Sequence, residues 1–195
     1  MKKIIVISIL VFGIYNLQAQ TKFINGSFQL SNTTYPGLNA EHETVFINKD
    51  KTKTTKKGKI KNKSRQIIGG INAGFYVHPN SHFGVISTYD IKYQKLTKKQ
   101  FYYNTGLGFG FNTNFIGETY KVTDAGEVKR VPLSSSSYLT PHFQLTAGRQ
   151  FKKSGLIDAI FIKQNIHLLL FYNYTHLPIY NTEIGLRFNL TSNKK

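Results

Sequence analysis

The sequence predicts an all-β protein, a single antiparallel up-and-down transmembrane β-barrel of about eight strands. Three observations carry that expectation. From Tyr103 to Phe115 every odd position is Tyr, Thr, Leu or Phe, and every even position is Asn or Gly. Side chains alternate across a strand, so this segment has one greasy face and one polar or nearly bare face. The bare face lacks the charges that meet bulk water in a soluble sheet and suits a cramped, polar interior. Beyond the N-terminal segment no stretch is long and apolar enough for a membrane helix, so membrane residence would require strands. Finally, the same period of two recurs along the chain between turn-forming residues.

Lys2 and Lys3, the apolar run Ile4 to Tyr15, and then Leu17, Gln18, Ala19 and Gln20 have the layout of a secretory signal. Cleavage after Ala19 is expected, leaving residues 20–195 as one outer-membrane barrel domain. A retained anchor is the alternative, but the run is short for a membrane helix of about 20 residues. With no cysteine in the chain, a lipid anchor on cysteine, disulfides and thiolate metal sites are excluded.

The first two strands are expected near Lys22 to Leu30 and Glu43 to Asn48. The third, Arg65 to Val77, sets Ile67, Gly69, Ile71, Ala73, Phe75 and Val77 against Asn72, Gly74 and Tyr76. The fourth sets Phe83, Val85, Tyr89, Ile91 and Tyr93 against Gly84, Thr88, Asp90, Lys92 and Gln94, after a Pro-Asn turn within His78 to Ser81. The fifth runs from about Gln100 to Phe115. In the sixth, Tyr138 to Phe151, Leu139, Phe143, Leu145 and Ala147 oppose His142, Gln144, Thr146, Gly148 and Gln150, with Pro141 near its start. The seventh, Lys163 to Thr175, is apolar on both faces at Leu168 to Phe171, which leaves its register open. The eighth, Tyr180 to Leu190, alternates Ile184, Leu186, Phe188 and Leu190 with Glu183, Gly185, Arg187 and Asn189. Tyr93, Tyr102, Tyr103, Tyr138, Tyr172 and Tyr174 near strand ends suggest an interfacial girdle.

An even number of strands with both termini in the periplasm puts 49–64, 95–99, 152–159 and the tail on the periplasmic side. The connections at 32–40, 78–81, 117–137 and 176–179 then face out. A long basic loop is unusual on the periplasmic side. Loss of an early strand, or a projecting ribbon from Thr44 to Ile68, could reverse its sidedness.

The chain carries a formal net charge of +17, and its largest charge feature is the Lys-rich segment 49–64. Lys51, Lys53, Lys56, Lys57, Lys59, Lys61 and Lys63 are the anion-binding candidates within it. The segment reads as a solvated loop, or as a surface for anionic lipid, an anionic glycan or an acidic envelope protein. Nucleic acid is not an expected partner, since the run lacks interleaved aromatics and the leader takes the chain away from it. Asp90, Lys92, His142, Glu183 and Arg187 all project inward and are candidates for a polar network in the lumen. The structural reading, mutual compensation of charges in a narrow barrel, outweighs proton transfer or ligand binding there. The scattered histidines, including His78 and His82 around a turn, do not have metal-ligand spacing, and neither a metal nor a cofactor is expected.

The signal ending in Gln18, Ala19 and Gln20, together with glycine-rich aromatic strands such as Tyr102 to Phe111 and Glu183 to Leu190, resembles the small outer-membrane β-barrel proteins of the Bacteroidota type. The likeness runs from about residue 65 onward. The closing strand Asn181, Thr182, Glu183, Ile184, Gly185, Leu186, Arg187, Phe188 is also similar to that of TraO-type outer-membrane proteins of conjugative transposons, which would imply a part in a conjugation apparatus. The last strand resembles the terminal assembly strand of such barrels, although Thr191 to Lys195 follow it where an aromatic residue usually ends the chain. Outer-membrane lipid A deacylases share the size and barrel form and carry a His followed two residues later by a nucleophilic Ser. At the nearest match, His176, Leu177, Pro178, Asn181 and Glu183, proline stands where the nucleophile belongs. Proline has no hydroxyl to activate, so that mechanism does not carry over. The expected function is therefore non-enzymatic, a structural or interaction role in the envelope with outer-membrane lipid as the surroundings. An anion- or glycan-binding envelope protein is the alternative, and a lipid A-modifying enzyme is disfavoured.

Overall fold

A computed structural model describes residues 21–32, 34–54, 60–78, 82–97, 99–117, 119–124, 126–131, 134–151, 156–172 and 175–190. The expected signal segment, Lys56, Lys57, Lys59 and the tail after Leu190 lie outside these residues. The strands are β1 (Lys22–Ser31), β2 (Tyr35–Thr54), β3 (Ile60–His78), β4 (His82–Leu96), β5 (Phe101–Ile116), β6 (Thr119–Val122), β7 (Val128–Val131), β8 (Ser134–Gln150), β9 (Ile157–Tyr172) and β10 (Thr175–Asn189). Eight of them close into a barrel in the order β1-β10-β9-β8-β5-β4-β3-β2, and β6 with β7 forms a separate hairpin. Closure is made by β1, which pairs antiparallel with both β2 and β10. A closed barrel leaves no edge strand to template pairing with another chain.

All eight expected strands are present, and most are longer than their sequence pattern suggested. The segment 117–137 is shorter as a connection than expected, because it contains the β6–β7 hairpin and because Ser134 to Ser137 already pair with β5. Pro141 lies well inside β8 rather than near its start. It is tolerated there because the β8–β9 ladder stops at His142↔His167, one residue away.

Alternation divides the barrel into two surfaces of inverted polarity. On β5, Tyr102, Asn104, Asn112 and Asn114 are buried in the lumen, while Leu107 (68% exposed), Phe109 (60%) and Phe111 (56%) point outward. Ile91, Leu145, Ile162 and Ile184 continue this apolar outer surface on neighbouring strands. From Phe101 to Phe111 the strand rises about 33 Å, which at a tilt near 40° gives a belt about 25 Å tall. Buried polar and charged side chains outnumber buried apolar ones among the described residues.

Tyr102 corrects the expected girdle. It is 1% exposed and lies inside, while its neighbour Tyr103 is 53% exposed. Adjacent strand residues cannot both face out. Its ring occupies the space that a Cβ on Gly148 would need. Tyr93 does face out.

One end of the barrel gathers the start of β1, the end of β10, the β2–β3 and β4–β5 connections and the β8–β9 connection. The other gathers the β1–β2, β3–β4 and β9–β10 connections and the β6–β7 hairpin. At the first end β2 and β3 outrun their neighbours. Their pairing continues through Lys51↔Lys63 to Thr54↔Ile60, whereas β1 stops opposite Thr44 and β4 opposite Ser64. The segment expected as a loop over 49–64 is thus largely a two-stranded ribbon, held by the ladder and helped by strand-favouring Thr52 and Thr54. It lies at the same end as the two barrel termini, so the projecting ribbon brings no reversal of its position.

Candidate functional site

The lumen is filled by side chains brought together from all eight barrel strands. Lys92 on β4 reaches Glu41 on β2 and lies 2.7 Å from Glu43 Oε1. Glu41 is shared: its Oε2 is 3.4 Å from Lys163 Nζ on β9, and Lys163 is 3.0 Å from Glu183 Oε2 on β10. The result is a continuous chain of alternating charge, Glu43, Lys92, Glu41, Lys163, Glu183, running across the barrel. Amide and hydroxyl donors satisfy the carboxylates further. Glu183 accepts from Ser27 at 2.6 Å, Asn39 at 2.8 Å and Asn165 at 2.5 Å, and Glu41 accepts from Asn25 at 3.2 Å. A buried charge is tolerated when it is both paired and hydrogen-bonded, and this chain meets both conditions at its centre.

Two further groups flank the chain. Asp90 pairs with His142, whose ring lies 4.8 Å from that of His167. The bare α-carbon of Gly108 makes room for this pair, since a Cβ there would collide with both Asp90 and His142. Towards the ribbon end Arg187 is held between the rings of Phe23 and Tyr102, at 4.4 and 4.3 Å. Its Nε donates to Asp158 at 2.9 Å, its Nη2 lies 2.7 Å from the same carboxylate oxygen as an ion pair, and its Nη1 donates to Gln94 at 3.1 Å. A planar guanidinium can stack on two faces while its edge donates in a fork, which an ammonium cannot do. With the apolar clusters of Phe23, Val45 and Ile68 and of Tyr102, Ala159 and Phe161, this group packs that end of the lumen.

Asp90, Lys92, His142, Glu183 and Arg187 are all in the lumen and all buried. They do not, however, form one network among themselves. Lys92 and Glu183 are joined only through Glu41 and Lys163, while Asp90 with His142 and Arg187 with Asp158 stand as separate groups. The partners that sequence reasoning missed are Glu41, Glu43, Lys163, Asp158 and His167. The odd polar positions Lys163, Asn165 and His167 carried a usable signal for the register of β9.

Of the Lys-rich segment, Lys51, Lys53, Lys61 and Lys63 lie at ribbon positions of β2 and β3. At the opposite end of the barrel a cavity of about 190 Å³ is lined by Tyr35, Tyr76, His78, His82, Asn114 and Leu169 among others. The His78 and His82 rings stack there at 4.9 Å. No group of three or more metal-ligating side chains occurs among the described residues. The residues around Pro178 are not assembled into a hydrolytic site either. His176 is exposed at the rim, while Glu183 is buried on Lys163.

No protein-family model matches the sequence, and no curated protein matches it. Among solved structures, the chain is similar to the beta domain of the Bordetella autotransporter BrkA, with 12% identity and a TM-score of 0.37 over 86% of this chain and 68% of that one. It is also similar to Ail, the attachment invasion locus protein of Yersinia pestis, solved in complex with the heparin analogue sucrose octasulfate. There the identity is 12% and the TM-score 0.35, over 86% of this chain and 97% of that one. These are likenesses of fold and carry nothing about ligands or partners.

Proposed function

We propose that this chain is a non-enzymatic outer-membrane β-barrel with a structural or interaction role in the cell envelope. One observation carries the reading: the polarity is inverted. A continuous ion-paired chain from Glu43 to Glu183 fills the inside, and Leu107, Phe109, Phe111 and Ile91 cover the outside. An apolar surface of that extent is stable against hydrocarbon and a liability in water. The lumen supplies positional order rather than a passage, because Arg187, Tyr102, Lys92 and Lys163 occupy its interior. In this reading the end that carries the barrel termini and the ribbon faces the periplasm, and the β6–β7 hairpin faces outward. A place in a conjugative transfer complex is a narrower form of the reading, supported by the likeness of the closing strand Asn181 to Phe188.

Cell fractionation combined with a heat-modifiability gel tests the proposal. Recovery in the outer membrane, with an unheated band that migrates faster than the boiled one, is expected. Recovery as a soluble periplasmic protein without that shift would overturn it. Lipid A mass analysis tests the non-enzymatic part, with the same acyl pattern expected in cells with and without the protein.

A further inference from the structure

The β-bulge in β2 decides which way the basic segment faces. The β2–β3 register shifts between Val45 and Ile47. Before the shift odd residues of β2 point inward, as Glu41, Glu43 and Val45 do. Past it the parity reverses: Val45 is 3% exposed, whereas Ile47 is 43% exposed and faces outward. Ile47 pairs with outward-facing Ile67, and the next positions on that same face are Lys49 opposite Arg65, then Lys51 opposite Lys63, then Lys53 opposite Lys61. The other face carries Asn48, Asp50, Ser64 and Gln66, with Ser64 donating to Asn48 at 3.0 Å and Asn48 to Asp50 at 3.4 Å. A period-two charge pattern and a single bulge thus sort the ribbon into a cationic face continuous with the apolar belt and a polar face continuous with the lumen.

The cationic face does not end with the ribbon. Arg65 also pairs with Lys95, and Lys95 with Tyr103, so Lys49, Arg65, Lys95 and Tyr103 form one exposed row around the outside of the barrel. Arg149 lies one strand further on, with its guanidinium 5.5 Å from the ring of outward-facing Phe101. Like charges placed directly opposite each other in a sheet repel, and three successive cross-strand pairs of cations in one ladder cost stability unless an anion lies between them. Of the carboxylates at this end, Asp50 accepts from Asn48 on the polar face and Asp158 is paired with Arg187.

We infer that this collar and ribbon face bind the anionic phospholipid headgroups of the leaflet on the ribbon's side. The inference rests on the membrane reading above and adds the ligand of its basic surface. Lys49 and Arg65 stand two residues beyond Ile47 and Ile67, about 7 Å along the strand, which is the depth of the headgroup layer next to the hydrocarbon. The ribbon positions follow just beyond it, where an anionic surface still attracts lysines within a Debye length. Continuity with the apolar belt favours lipid over a soluble acidic partner.

The chain has no cysteine, so Thr52→Cys carries a single spin label on the ribbon. The labelled barrel is refolded into vesicles of phosphatidylcholine, or of phosphatidylcholine with phosphatidylglycerol. Slower label tumbling and several-fold lower access to an aqueous nickel reagent are expected only with phosphatidylglycerol at low salt, and high salt should reverse both. Combined Lys51→Gln, Lys53→Gln, Lys61→Gln and Lys63→Gln changes should weaken the response while the heat-modifiability shift stays intact. Equal behaviour in both lipids, with that shift intact, would overturn the lipid assignment, as would a response that survives all four changes. A photocrosslink from position 52 to an envelope protein in cells, without any lipid response in vesicles, would give the face to a protein partner and equally overturn it. A chain that shows no heat-modifiability shift in either vesicle would refute the membrane reading itself, which separates the two failures.

Discussion

The lumen and the ribbon handle positive charge in opposite ways. Among the described residues, each buried ammonium and guanidinium of the lumen meets a carboxylate: Lys92 meets Glu41 and Glu43, Lys163 meets Glu41 and Glu183, and Arg187 meets Asp158. On the ribbon, cations pair across the ladder with cations at Lys49↔Arg65, Lys51↔Lys63 and Lys53↔Lys61. The difference follows from where each can find compensation. Inside a closed barrel no counter-ion can be borrowed from outside, so the chain must supply its own. Beyond the rim, ions from solvent can supply it, and the chain can leave a surface of one sign. Charge in the first region serves the fold, and charge in the second is available to a partner.

Breaking the compensation inside should have the largest effect. Glu41→Gln takes the shared carboxylate from between Lys92 and Lys163, leaves each with one carboxylate, Glu43 and Glu183, and sets the two buried ammoniums against each other across a neutral amide. Urea unfolding of the refolded barrel should show a loss of about 3–5 kcal/mol. Placing a charge on the apolar belt comes next. Leu107→Arg, near the middle of that belt, should cost about 2–4 kcal/mol in the same assay in lipid vesicles. Arg187→Lys keeps the charge but loses the fork to Asp158 and Gln94 and the stacking on Phe23 and Tyr102. A loss of about 1–2 kcal/mol is expected from the desolvated cation–π contacts. The smallest effect belongs to the ribbon. Lys51→Gln with Lys53→Gln should change stability by no more than about 0.5 kcal/mol, in the stabilising direction as like-charge pairs are relieved. A loss there as large as that of Glu41→Gln would erase the distinction between the two regions.

Much of the barrel was legible in the sequence because its signal is periodic. On β5 one face reads Tyr103, Leu107, Phe109, Phe111 and the other Asn104, Gly108, Asn112, and nothing interrupts the alternation. β4, β8 and β10 read as plainly, and so the inward positions of Asp90, Lys92, His142, Glu183 and Arg187 followed from parity alone. The first two strands were the hardest to read. In β2, Pro36 and Gly37 disguise the start of the strand, and the bulge at Val45 to Ile47 reverses parity halfway along. No single period fits it, and Glu41 and Glu43 went unread. β9 hid Lys163 for another reason, since Leu168 to Leu170 are apolar on both faces and mask the alternation that Lys163, Asn165 and His167 establish earlier. Pairing across strands could not be read at all. That Glu41 lies beside Lys163 is a property of barrel closure, which joins positions 122 residues apart.

The inverted polarity is tested most directly by the depth of the belt in lipid. A fluorophore is placed at Leu107→Cys or, as a control, at Glu127→Cys on the β6–β7 hairpin, in a barrel refolded into vesicles with lipids brominated along their acyl chains. Strong quenching at position 107 and little at position 127 is the expected result. Equal quenching at the two positions, or none at 107, would contradict an apolar surface turned toward lipid.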